Sequence, residues 1–151
     1  MTQPSKLALT IQFACKPANL PSRAEFRHWA KASLQHDVDA TLRVVDEAEG
    51  TQLNQDYRDK PAATNVLTFA YGAELDDGPL CGDIVLCAAV VEREAMEQNK
   101  TLQAHYAHLT VHGMLHLQGY DHVAENEAIA MEAIESFIMM RLGFPDPYQD
   151  G

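Results

Sequence analysis

Alternation and helical spacing divide the chain into readable pieces. Leu7 to Cys15 carries β-branched and apolar residues between polar flanks, and Ala40 to Val45 repeats the pattern, so both are predicted strands. Between them Phe26, Trp29, Ala30 and Leu34 recur at helical spacing behind Pro21 and Ser22, which suit a helix start. A short helical stretch follows at Thr51 to Arg58. Strands are predicted next at Asn65 to Phe69 and Gly82 to Leu86, with Asp77-Gly78-Pro79 turning the chain between them. From Val90 onward the spacing is helical, broken near Asn99-Lys100, and a last helix is expected from about Glu125 to Leu142, ended by Gly143 and Pro145. This order predicts an α+β fold, a small mixed β-sheet packed with helices in one domain over residues 1–151.

Composition supports one ordinary core: 151 residues, 46% apolar and 22% charged, is too apolar for a disordered chain and too short for two sizeable domains. A net charge of −11 argues against a general nucleic-acid coat. The charge is uneven, however: residues 1–31 hold five basic and one acidic side chain, the remainder six and twenty-one. Arg23, Arg27 and Lys31 stand four apart on the first predicted helix and form one stripe, either a solvated face or an anion-binding side. The opening MTQPSKLALT lacks the features of a secretory signal, and the longest apolar run, Ile84 to Val91, is far below the ~20 residues of a membrane-spanning helix. A cytoplasmic protein with no membrane partner is expected. Cys15, Cys81 and Cys87 form an odd set with no CxxC pair, as expected of reduced core thiols.

The chemistry concentrates in His105-Tyr-Ala-His108-Leu-Thr-Val-His112-Gly-Met-Leu-His116-Leu-Gln-Gly119-Tyr-Asp-His122, which holds five of the seven histidines. His112 and His116, at i and i+4 on a helix, lie on one face about one turn apart and can share a metal. Gly119 can take a left-handed conformation that ends the helix and returns His122 to the same centre. Three neutral imidazoles with an open fourth position make a catalytic zinc site. His105 and His108 extend the stripe, but further imidazoles would close the site, so supporting or core roles suit them better. His28 and His36 read as ordinary surface residues. The spacing is also that of the metzincin peptidases, HExxHxxGxxH, whose glutamate is the general base. Here Gly113 stands at that position, which demotes peptidase chemistry and is expected to leave room beside the metal for a bulky substrate. No GxxxxGK[ST], GxGxxG or GxSxG element and no PCxxC half-site is present.

The segment His112-Gly-Met-Leu-His-Leu-Gln-Gly-Tyr-Asp-His122 resembles the signature of the YbeY family of bacterial endoribonucleases. A second block, Leu53-Asn-Gln-Asp-Tyr-Arg58-Asp-Lys followed by Thr64-Asn-Val-Leu-Thr-Phe69, resembles that family's segment before and through its third strand, and Gly82-Asp-Ile84 resembles the next strand. Pro61-Ala62-Ala63 departs from the family pattern. The resemblance implies a zinc-dependent, single-strand-specific endoribonuclease acting in ribosomal RNA maturation and ribosome quality control. His112, His116 and His122 then map onto the ligands of one zinc ion per chain, and Arg58 onto the family's functional arginine. A guanidinium suits phosphate oxygens and a developing pentavalent dianion. Arg23, Arg27, Lys31 and Asn65 become candidates for RNA contact, and His108 and Asp121 for proton carriage or orientation of the ligands. The implied partners are single-stranded or ribosomal RNA and the small ribosomal subunit with its proteins. The acidic stretch Asp121 to Gly151, seven acids against Arg141, is expected to face away from RNA or toward a basic partner. Two rivals stand beside this reading: a ribosome assembly factor with a structural zinc closed by His108, and a metallopeptidase.

Overall fold

The structure is a computed structural model that describes residues 4–60, 62–120 and 124–148, so Pro61, Asp121 and His122 lie outside it. Strand β1 (Leu7–Phe13) alternates as expected, burying Leu9 and Ile11 and turning Ala8, Thr10 and Gln12 outward. Helix α1 (Arg23–Ala32) starts in a capping box: the Ser22 hydroxyl accepts from the Glu25 N–H, and the Glu25 carboxylate accepts from the Ser22 N–H. Its Phe26, Trp29 and Ala30 are buried. Strand β2 (Val38–Val45) returns parallel to β1. Helix α2 (Glu47–Arg58) leads to β3 (Val66–Ala73), and β4 (Leu80–Cys87) then runs antiparallel to β3 and parallel to β2. The strand order β1-β2-β4-β3 makes one mixed sheet with β1 and β3 as its edges. Helices α3 (Ala88–Glu97), α4 (Leu102–Leu117) and α5 (Glu125–Arg141) complete the chain. Nothing in the described residues is long and apolar enough to cross a membrane as a helix.

The two faces of the sheet are filled unequally. One face carries the large core, in which Leu9, Ile11, Leu42, Val44, Ile84 and Leu86 meet α1, α4 and α5. The other carries a small cluster of Val45, Leu67, Val85, Cys87 and Val90, with Leu53 of α2 packed on it. Helix α4 runs through the large core and is buried on nearly every side, a property of central helices. Its approach to β4 is set by two glycines. A Cβ at Gly82 would overlap the Leu117 Cδ2 and stand 2.6 Å from the Phe69 carbonyl oxygen, and one at Gly113 would stand 3.0 Å from the Ile84 Cγ2. Gly113 therefore lets the helix lie against the strand. The expectation that it opens space beside a metal is incorrect, because its missing side chain points into the core.

Several boundaries differ from those predicted. Helix α2 begins at Glu47 rather than Thr51, because the Asp46 carboxylate caps it by accepting from the Glu49 N–H at 2.9 Å. Gly50 disguised that turn, since glycine disfavours helix. Its smallness is required by packing, for a Cβ there would stand 3.0 Å from the Cys87 Sγ. Strand β2 starts two residues earlier than expected because Val38 and Asp39 pair with both neighbours. Strand β3 extends to Ala73 through an irregularity between Ala70 and Gly72, held by pairing with β4. The chain breaks after α3 as predicted, with Asn99 at φ 55°. Of the three thiols only Cys87 is buried; Cys15 and Cys81 are half-buried.

Candidate metal and RNA site

From Ala104 to Leu117 the only side chains of α4 that are not fully buried are His108, His112 and His116, one turn apart. A helix otherwise closed by packing thus opens along a single stripe, and every residue of that stripe is an imidazole. His112 and His116 look into a groove of about 490 Å³ against the β3 edge, lined also by Tyr57, Arg58, Thr64, Asn65, Val66, Leu67, Thr68 and Phe69. Arg58 reaches it from the last turn of α2, which Asp59 ends in a left-handed conformation at φ 55°. Among the described residues Arg58 forms no salt bridge. Tyr57 stands edge-on to Phe69, with ring centroids 5.2 Å apart, so the groove wall also presents aromatic surface.

Behind the stripe lies a carboxylate. Glu135 of α5 is 1% exposed, and its Oε1 lies 2.7 Å from the His108 Nε2, 2.9 Å from the Tyr148 hydroxyl and 3.2 Å from the His112 Nδ1. Burial alone would raise its pKa, but hydrogen bonds from His108 and His112 outweigh that and hold it down at about 2. The Tyr148 phenol is pushed up by burial and by this same carboxylate. Deeper in the core, the His105 Nε2 lies 2.8 Å from the Glu94 Oε1, which also accepts from the Asn65 amide at 2.9 Å. Burial lowers the His105 pKa, with the Glu94 hydrogen bond opposing it.

The predicted site residues fall into three groups. His112, His116, Arg58 and Asn65 share one groove, although the Asn65 amide is tied to Glu94. His108 stands beside them and holds Glu135. Arg23, Arg27 and Lys31 lie on α1 near β1, the sheet edge opposite β3. There the Arg27 guanidinium donates to the Leu9 carbonyl at 3.0 Å, and Arg23 stacks over the Phe13 ring at 4.4 Å. His122 and Asp121 are outside the described residues. Gly119 takes φ 103°, a positive-φ conformation just past the end of α4. Glu135, Glu94 and Tyr148 were missed by sequence reasoning. The first two carried a signal, since each is a charged residue on its helix's buried stripe: Glu135 stands among Met131, Ile138 and Met139, and Glu94 among Val90, Val91 and Ala95. Of the acids after residue 121, Glu135 is turned inward, buried against His108 and His112.

Among the described residues no three His, Cys, Asp or Glu side chains are placed together to hold a metal. The donor chemistry of the part that is described fits one: two imidazoles a turn apart, one bonded through its other ring nitrogen to a buried carboxylate. Fold and groove together define a small α+β protein with a histidine site on a buried helix beside an edge strand. Residues 18–143 match the family described as endoribonuclease YbeY. A relative named endoribonuclease YbeY from Methylobacillus flagellatus is 58% identical over 95% of this chain and 94% of its own, and one of that name from Nitrosomonas europaea is 53% identical over 95% and 85%. A Thermotoga maritima protein solved in solution superposes with a TM-score of 0.56 at 25% identity, covering 94% of this chain and 99% of that one. The chain belongs to the YbeY family of endoribonucleases.

Proposed function

We propose that this protein is a zinc-dependent, single-strand-specific endoribonuclease acting in ribosomal RNA maturation and ribosome quality control in the cytoplasm. One observation carries the reading: His112 and His116 of the open stripe line the same groove as Arg58. His112, His116 and His122 hold the single zinc ion. When bound, zinc polarises a phosphoryl oxygen or supplies hydroxide at neutral pH. Arg58 meets the non-bridging phosphate oxygens with its planar fork of donors and offsets the charge that builds up on them in the transition state. Tyr57 and Phe69 offer faces for stacking of unpaired bases, which suits a single strand better than a duplex. Asp121 is a proton carrier or orienter in this scheme, and the small ribosomal subunit supplies the RNA.

The His108 Nε2 is engaged by Glu135, which weighs against the rival structural zinc site that would need His108 as its fourth ligand. Gly113 in place of a glutamate weighs against peptidase chemistry. The test is cleavage of an end-labelled single-stranded RNA, with and without chelator, beside His116→Ala purified identically. Cleavage lost to chelator, restored by zinc and absent from the variant is expected. Equal cleavage by both proteins, or none with zinc present, overturns the reading. A 2′,3′-cyclic phosphate end would assign the attack to the ribose hydroxyl rather than to water.

A further inference from the structure

Glu135 is a charge in a place where charges are costly. It sits on the apolar stripe of α5, 1% exposed, between Met131 and Met139, which are themselves buried. Such a group persists only when donors surround it, and here three converge on one oxygen. Two of them, His108 and Tyr148, would suffice for a local structural cluster. The third, which like that of His108 joins α5 to α4, comes from the Nδ1 of His112, a histidine of the open stripe that lines the groove. A neutral imidazole carries one proton, and the nitrogen that hydrogen-bonds to a carboxylate keeps it. With the proton on Nδ1, Nε2 of His112 is the lone-pair nitrogen, the form a metal needs.

We propose that Glu135 is a positioning residue: it fixes the tautomer and ring orientation of His112 for metal binding, and His108 and Tyr148 hold its carboxylate in place. This rests on the reading of His112 as a metal ligand. It also gives His108 a definite role, as a brace for the carboxylate rather than a ligand or proton carrier. Tyr148 becomes part of the site through its hydroxyl, 2.9 Å from Glu135.

The experiment uses the full chain. Zinc affinity is measured by competition with a chromophoric chelator, and side-chain nitrogen spectra of the metal-free protein report which ring nitrogen of His112 bears the proton. Wild type is expected to carry it on Nδ1. Glu135→Gln, whose amide can donate to the ring, is expected to shift His112 toward the Nε2–H form and to weaken zinc binding roughly 10–100-fold. A folded Glu135→Gln with unchanged tautomer and zinc affinity overturns the proposal. If the variant does not fold, wild type still decides, because a His112 protonated on Nε2 overturns it alone. A wild-type chain that binds no zinc overturns the metal reading and the positioning role with it, whereas equal zinc binding by wild type and a folded variant overturns only the positioning role.

Discussion

Arg23, Arg27 and Lys31 on α1 and His108, His112 and His116 on α4 are both stripes with a four-residue period, yet their surroundings differ in kind. The α1 stripe sits on a helix with an ordinary exposed face at the β1 edge, and Arg27 and Arg23 lean on β1, one on the Leu9 carbonyl and the other on the Phe13 ring. From Ala104 to Leu117 the α4 stripe is the one opening in an otherwise buried helix, and its His112 and His116 face a groove that an arginine enters from α2. Periodicity therefore identifies a face, while the chemistry of that face depends on which other elements reach it. A charged stripe that touches only its neighbouring strand is held by fold contacts. A polar stripe left open inside a core, with a carboxylate behind one of its members, is placed for chemistry.

The largest effect is expected at Arg58. If the α4 stripe acts together with the arginine across the groove, Arg58→Ala should lower kcat by about 10²–10³-fold with zinc affinity unchanged. Single-turnover cleavage beside chelator competition measures both, and a loss confined to KM would reduce Arg58 to a binding contact. The next effect is on stability. Gly82→Ala places a Cβ 2.6 Å from the Phe69 carbonyl oxygen of β3 and against Leu117, next to His116, so the strand pair and the Leu117 side chain must shift, and overpacking of this kind costs about 1–3 kcal/mol. Chemical denaturation reads it, and an unchanged midpoint would mean that the packing around Gly82 is softer than its geometry.

His105 belongs to the same helix but points into the core, and it gives the comparison a pH axis. Burial lowers its pKa below the usual histidine value of 6.5, so the folded chain keeps it neutral where the unfolded chain protonates it. Its contribution is fully present above about pH 6.5 and is lost as pH falls toward the depressed folded value, at no more than about 1.4 kcal/mol per pH unit. Thermal unfolding of wild type should therefore fall more steeply between neutral and mildly acidic pH than that of His105→Gln. Parallel curves would remove His105 as the cause. The smallest effect is expected at the α1 stripe. Arg23→Gln with Lys31→Gln, which spares the Arg27 hydrogen bond, should leave the salt dependence of RNA binding unchanged. A slope reduced by about 1 for each charge removed would instead run the strand along α1.

The elements were legible because each had a local signal: alternation in β1, Pro21 and Ser22 at the start of α1, the break at Asn99 and the stop at Gly143. Their ends were not, since β2 and β3 are extended by strands that pair with them from elsewhere in the chain, and α2 hid its first turn behind a glycine chosen for Cys87. The site was half legible. Imidazole spacing identified one face of α4, and the family blocks brought Arg58 to it. Gly113 was misread because a missing carboxylate looks the same in sequence whether the space faces the substrate or Ile84. Glu135 reads in sequence as one acid among seven, although its place between Met131 and Met139 sets it apart.

The site also has an order of assembly in time. Its parts are made in the sequence Tyr57 and Arg58, then the β3 edge, then α4, and Glu135 and Tyr148 last. At 5–20 residues per second, the interval between Tyr57 and Tyr148 is roughly 5–20 s of synthesis. Throughout that interval the nascent chain carries the groove of Arg58 and the α4 histidines without its buried carboxylate, and Glu135 and Tyr148 are the last pieces to arrive.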